Sequence, residues 1–197
     1  MGNAHKLVNQ REKFANRFTI FATPMATLKK DIRALTKEQL REFFEQQGDK
    51  AFRGNQVYEW LWQKAAYSFE DMTNISLETR KILEAHFVIN NIEVSTMQRS
   101  KDGTVKNAVK LHDGLIVESV LIPTKTRTTA CVSSQVGCSL DCRFCATARL
   151  KRMRNLNPDE IYDQVVAIDK ESKLYFNRPL SNIVFMGMGE PLMNYNN

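Results

Sequence analysis

The chain has 197 residues, of which 43% are hydrophobic and 25% charged, the balance of a globular chain of one domain or two small ones. No run of about eighteen apolar residues occurs, which argues against a membrane-spanning helix, and Met1-Gly-Asn-Ala-His-Lys6 carries no apolar signal core, which argues against secretion. The formal net charge of +6 favours an anionic partner, nucleic acid first, in a cytoplasmic setting.

Residues 1–30 are basic and aperiodic, with Pro24 breaking the segment, and read as an N-terminal extension. Residues 31–92 read as a small helical accessory unit. Thr36-Lys-Glu-Gln39 has the form of a capping box, Leu40, Phe43 and Phe44 supply an apolar stripe, and Gly48 ends the helix. Val57, Trp60, Leu61 and Lys64 recur at helical spacing in a second helix. A third is expected from about Leu77 to Phe87, with Leu77, Ile82, Leu83 and Phe87 facing a core. Core packing is the expected use of Phe43 and Trp60. Arg53-Gly54-Asn55 suits either a phosphate contact or a plain helix start.

The period changes near Glu93. Asp102-Gly103 and Asp113-Gly114 are hairpin turn signals. With Val105–Leu111 between them and Leu115–Ile122 after them, they predict a three-stranded meander, a β-hairpin linker over residues 93–126. Glu118 falls among Ile116, Val120 and Ile122 on one face of its strand. Such a carboxylate either points to solvent at an edge or serves proton transfer.

From residue 127 the pattern is strand, loop, helix, strand. Thr128–Ser134 reads as a strand, Asn157-Pro-Asp-Glu160 opens a helix with an inner stripe of Ile161, Val165 and Ile168, and Ser181–Met186 reads as a strand buried on both faces. A βαβ unit builds a parallel sheet, and functional loops gather at the carboxyl ends of its strands. Two unusual loops lie there: Cys138-Ser-Leu-Asp-Cys142-Arg-Phe-Cys145 and Gly187-Met-Gly-Glu-Pro191.

The C-x3-C-x2-C run admits several chemistries. A structural zinc site needs four closed ligands, for which His112 and Cys131 are the nearest extra donors. A thioredoxin-like pair uses C-x2-C in another context. Three thiolates in a compact loop suit an iron–sulfur cluster with one iron free of protein ligands. Arg143, Arg149, Lys151, Arg152 and Arg154 crowd beside the loop, as either a solvated surface or a set of phosphate contacts.

The triple-cysteine run, with Phe144 before its last member, resembles the radical S-adenosylmethionine (SAM) superfamily, and the Gly187–Pro191 turn resembles that superfamily's second motif. Cys131-Val-Ser-Ser-Gln-Val-Gly-Cys138 and Met186-Gly-Met-Gly-Glu-Pro-Leu192 narrow the resemblance to the rRNA adenine methylases of the RlmN/Cfr family, over roughly residues 30–197. The resemblance implies an α/β fold: the N-terminal portion of a radical SAM partial (βα)6 barrel, with its core over residues 127–197, preceded by the helical accessory domain and the hairpin linker. It implies a [4Fe-4S] cluster on Cys138, Cys142 and Cys145, and SAM bound with help from Phe144, Gly189 and Glu190. It implies methylation of C2 of an adenine in 23S rRNA and in tRNA, with C8 as the Cfr-like alternative and a non-catalytic RNA-binding module as the runner-up. In that chemistry a methylcysteine carries the new carbon, Glu118 takes a proton, and Cys131 resolves a protein–RNA crosslink. A disulfide bond, an electron donor such as flavodoxin and a monomeric state come with it.

The methyl-carrying cysteine has no counterpart in this sequence, and only about two of the six βα units that the resemblance implies are present. The chain is therefore expected to be a fragment, inactive by itself.

Overall fold

The computed structural model describes residues 29–197. The expected extension over residues 1–30 lies outside them except at its end, where Lys30–Asp31 (β1) already pairs in parallel with Phe87–Val88 (β2).

The capping box forms as the sequence requires: Thr36 Oγ1 accepts from the Gln39 backbone, and the Gln39 side chain accepts from the Thr36 backbone. It starts helix α1, Lys37–Gln46, which gives way to Gly48 at φ +75°. Helix α2, Phe52–Trp62, crosses α1 where Gly54 lies, and a Cβ there would sit 2.5 Å from the Arg41 backbone nitrogen. Gly54 is thus explained by helix contact, and Arg53 is engaged by Gln56 and Asp49. Helix α3, Leu77–His86, is capped by Ser76. These helices close on Ile32, Leu40, Phe44, Val57, Leu61 and Leu83, with Phe43 and Trp60 packed partly buried against them. Leu77 is the exception to the expected stripe. It is 69% exposed, because the first helical residue precedes the turn that turns inward.

The meander forms as Glu93–Arg99 (β3), Val105–Lys110 (β4) and Ile116–Pro123 (β5), joined through turns with Gly103 and Gly114 at positive φ. It does not stop as a linker. Strand β5 also pairs antiparallel with Thr128–Cys131 (β6), and β6 pairs in parallel with Asn182–Val184 (β9), giving one five-stranded sheet of order β3-β4-β5-β6-β9. Gln135–Val136 (β7) and Arg154–Asn155 (β8) form a small ribbon around the cysteine loop.

Helix α4, Pro158–Phe176, crosses over between β6 and β9. Ile168 packs with Val105, Leu121, Ala130 and Val132. Its buried face differs from the apolar stripe read in the sequence, since Asp159, Glu160, Asp163 and Gln164 are also buried. Each carboxylate among them meets an arginine from elsewhere: Arg33 takes Asp159 and Asp163, and Arg154 takes Glu160. Strand β9 also departs from expectation. It is shorter than Ser181–Met186 and is not buried on both faces: among the described residues only β6 pairs with it, and Ile183 and Phe185 are each 47% exposed.

Candidate active site

The parallel strands β6 and β9 end at the same edge of the sheet, and both unusual loops leave from there. The glycine turn is fastened to the residues just after β6. Gly187 N–H donates to the Val132 carbonyl at 3.0 Å, and the Ser134 N–H donates to the Met188 carbonyl at 2.9 Å. A Cβ on Gly187 would lie 2.7 Å from the Val132 carbonyl and from Ser133 Oγ, so the approach needs glycine. Gly189 has φ +99°, and a Cβ there would meet Gln135 at 2.5 Å. The Glu190 side chain accepts from the Leu192 N–H at 3.0 Å and opens the 3₁₀ turn Pro191–Asn194. Asn194, buried, donates to the carbonyls of Ser134 and Leu156.

The cysteine loop follows β7. Gly137, at φ +73°, lets it pass against the Lys151 carbonyl, and Cys138 bridges to Lys151. Cys142 accepts from the Cys145 N–H at 3.0 Å through its carbonyl. The Leu140 N–H points to Cys138 Sγ at 3.5 Å. Hydrogen bonding from the Ala148 and Thr147 backbone and the Thr147 side chain holds the Cys145 thiol below its ordinary range. Phe144 is 94% exposed at the mouth, and Ser139 Oγ lies 3.4 Å from Met193 Sδ, so the two loops touch.

All four cysteines are free thiols, and the expected disulfide bond is absent. Cys131 lies buried at the end of β6, while the other three stand in the partly open loop. Among the described residues, no group of three Cys, His, Asp or Glu side chains is gathered as a metal-ligand set. The loop therefore carries Cys138, Cys142 and Cys145 without closing them on a common centre. Their chemistry nonetheless suits a thiolate-held cluster: three unpaired, partly exposed cysteines, with the Cys138 sulfur already facing a backbone N–H of the kind that tunes such clusters.

Cys131 faces Val120 in the β5–β6 register, so it shares a sheet face with Glu118. Burial pushes its thiol up, partly offset by a hydrogen bond from the Met186 backbone. Glu118 is half-exposed and paired with Lys106 Nζ at 2.6 Å. Among the flanking cations, Arg154 is not free: both its terminal nitrogens meet Glu160 or the Asn155 carbonyl at 2.7–3.0 Å, and its Nε meets Asp113 at 2.7 Å. His112 lies 3.4 Å from the same Glu160. Arg143, Arg149, Lys151 and Arg152 are exposed.

Sequence reasoning passed over Ser133, Gln135, Gln164 and Asn194, all buried polar side chains joining these loops. The polar run Ser133-Ser-Gln135 at the end of an expected strand was the available signal.

Residues 30–89 match the ribosomal RNA large subunit methyltransferase N-terminal domain, and residues 132–197 match the radical SAM superfamily. The chain is 82% identical over 169 residues to a probable dual-specificity RNA methyltransferase RlmN of Christiangramia forsetii, covering 86% of this chain and 48% of that protein. It is 46% identical over 169 residues to the dual-specificity RNA methyltransferase RlmN of Geotalea uraniireducens, covering 86% of this chain and 48% of that protein. A crystal structure of a radical SAM methyltransferase from Sphaerobacter thermophilus superposes with a TM-score of 0.74 at 34% identity, covering 85% of this chain and 49% of that one. The chain spans about half the length of the curated relatives it matches. An RlmN-type N-terminal domain followed by a radical SAM segment, in one chain and at the identity of these relatives, is what this chain shares with RlmN proteins over about half of their length.

Proposed function

We propose that the protein carrying this chain is a radical SAM methyltransferase that acts on C2 of an adenine in 23S rRNA and in tRNA. The observation that carries the reading is the meeting of two loops at one sheet edge. The triple-cysteine loop and the glycine–glutamate turn leave adjacent parallel strands, above a face bearing Cys131 and Glu118. The relatives' description as dual-specificity RNA methyltransferases supports the two RNA classes.

Cys138, Cys142 and Cys145 would hold the [4Fe-4S] cluster, which when bound supplies one-electron chemistry on the SAM sulfonium. The chain's own residues do the rest. Glu190 and the backbone around Gly189 offer acceptors to the SAM ammonium. Phe144 presents an open aromatic face to a base or adenosyl ring. Aromatic C2–H is neither acidic nor nucleophilic, so proton removal must follow activation of the ring, and Glu118 is the carboxylate on the working face that accepts it. Cys131 is held as a protonated thiol by burial and must lose its proton to become a nucleophile, which suits it to a late resolving step. Exposed Arg143, Arg149 and Lys151 flank the mouth as phosphate contacts. The reading includes a barrel completed by further βα units, cytoplasmic action as a monomer, and a flavodoxin-class electron donor.

The test is reduction of the reconstituted full-length protein with SAM and an rRNA fragment, followed by mass spectrometry of the nucleosides. Methylation at adenine C2 is expected. Methylation at C8 alone would move the protein to the Cfr-like reading. Absence of 5′-deoxyadenosine under reduction would leave only an RNA-binding module.

A further inference from the structure

We propose that Ser133 and Gln135 are positioning residues for the Gly187–Glu190 turn, and that Ser133 also ties this turn to the strand carrying Glu118. The inference rests on the SAM-binding role proposed above for that turn.

Ser133 is fully buried and its hydroxyl is used twice. It donates to the Glu118 carbonyl at 2.6 Å and accepts from the Met188 N–H at 2.8 Å. Its own backbone is held by Gln164, which accepts from Ser133 N–H at 2.9 Å and donates back to the Ser133 carbonyl at 3.2 Å. Gln135 is likewise fully buried. Its Oε1 accepts from the Glu190 N–H at 3.0 Å, and its Nε2 donates to Asn155 Oδ1 at 2.8 Å, on the strand that brackets the cysteine loop.

The turn leaves β9 with no regular structure of its own, so its backbone donors must find partners elsewhere. Two of them, Met188 and Glu190, find only side chains. Both side chains are buried, fixed by second contacts, and reached because Gly187 and Gly189 leave no Cβ in the way. A hydroxyl that bridges two backbones transmits any displacement of one to the other. The backbone that carries the Glu190 side chain is thus held by Gln135, and the Glu118 strand and the turn are held in one register by Ser133.

The experiment uses the full-length protein, anaerobically reconstituted with iron and sulfide, as Ser133→Ala, Ser133→Thr and Gln135→Met. Equilibrium dialysis with SAM, amide hydrogen exchange at Met188 and Glu190 without SAM, and bound iron are measured. Ser133→Ala is expected to bind SAM roughly tenfold more weakly, the loss of about one buried hydrogen bond, with faster exchange at Met188 and unchanged iron. Ser133→Thr, which keeps the hydroxyl, should recover most of the affinity. Gln135→Met should act in the same way at Glu190, and it decides the matter if Ser133→Ala loses its far-ultraviolet dichroism. Unchanged affinity and exchange in a folded Ser133→Ala and in Gln135→Met would overturn the positioning role. Failure of the unsubstituted protein to bind SAM would instead overturn the role of the turn, and this inference with it.

Discussion

Arg33 Nη1 and Asp163 Oδ1 meet at 2.8 Å although 130 residues separate them in sequence. The same guanidinium reaches Asp159 at 3.3 Å and the Asn90 carbonyl at 2.6 Å, and only 2% of its side chain is exposed. One residue of the helical unit thus neutralises the first turns of α4. Replacing it leaves buried carboxylates without a counter-charge, which costs about 3–5 kcal/mol. Arg33→Met is expected to lower the urea midpoint accordingly, while Lys37→Met, on the exposed surface nearby, should not.

Burial pushes the carboxyl of Asp159 up to about 6, only partly offset by Arg33. An acid whose pKa is higher in the folded state binds its proton more tightly there. Its contribution to stability is present below about pH 4 and is lost as pH rises through about 6. The difference in unfolding free energy between Asp159→Asn and the unsubstituted protein should therefore shift in favour of the variant between pH 4 and 6.5, by roughly 1–3 kcal/mol. Denaturant titrations across that range measure it, and a flat difference would contradict the assignment.

Much of this was readable from residue order. The capping box at Thr36, the paired Asp-Gly turns and the βαβ crossover follow local chemistry, and local chemistry is what a sequence displays. The buried face of α4 was not readable, because Asp159, Glu160 and Asp163 become interior residues only through Arg33 and Arg154, which approach from other elements. The exposure of β9 was hidden for a related reason. Its apolar residues describe what the strand is made of, and not whether a neighbour covers it. At the site, the cysteine spacing and the glycine turn were visible, whereas the buried hydroxyl and amide that join them needed the register of β6 and β9.

Gly189 and Gly137 occupy backbone at positive φ with no room for a Cβ. Gly189→Ala is expected to destabilise the chain by about 1–3 kcal/mol through strain and overpacking against Gln135, and to abolish SAM binding by the full-length protein. Gly137→Ala should displace the cysteine loop from Lys151 and lower the iron retained after gel filtration. Iron analysis and calorimetry of the two variants distinguish these effects.

The four cysteines are expected to divide by role. Ala substitution at Cys138, Cys142 or Cys145 should remove iron and its visible absorption. Cys131→Ala should keep both, and in the full-length protein should accumulate an RNA adduct that resists denaturation on a gel. Loss of iron from Cys131→Ala would make it a ligand.

The sheet order also predicts a folding sequence. Strands β3 to β5 pair with near neighbours and can form from local encounters, but β6 gains its second partner only when β9 closes a loop containing the whole of α4. Contacts of such long range form late, because chain entropy must be spent before they reward it. On a ribosome, the cysteine loop is therefore synthesised and exposed before the turn that packs beside it exists. The two halves of the site are expected to mature at different times, with the slower half setting when the mouth takes shape.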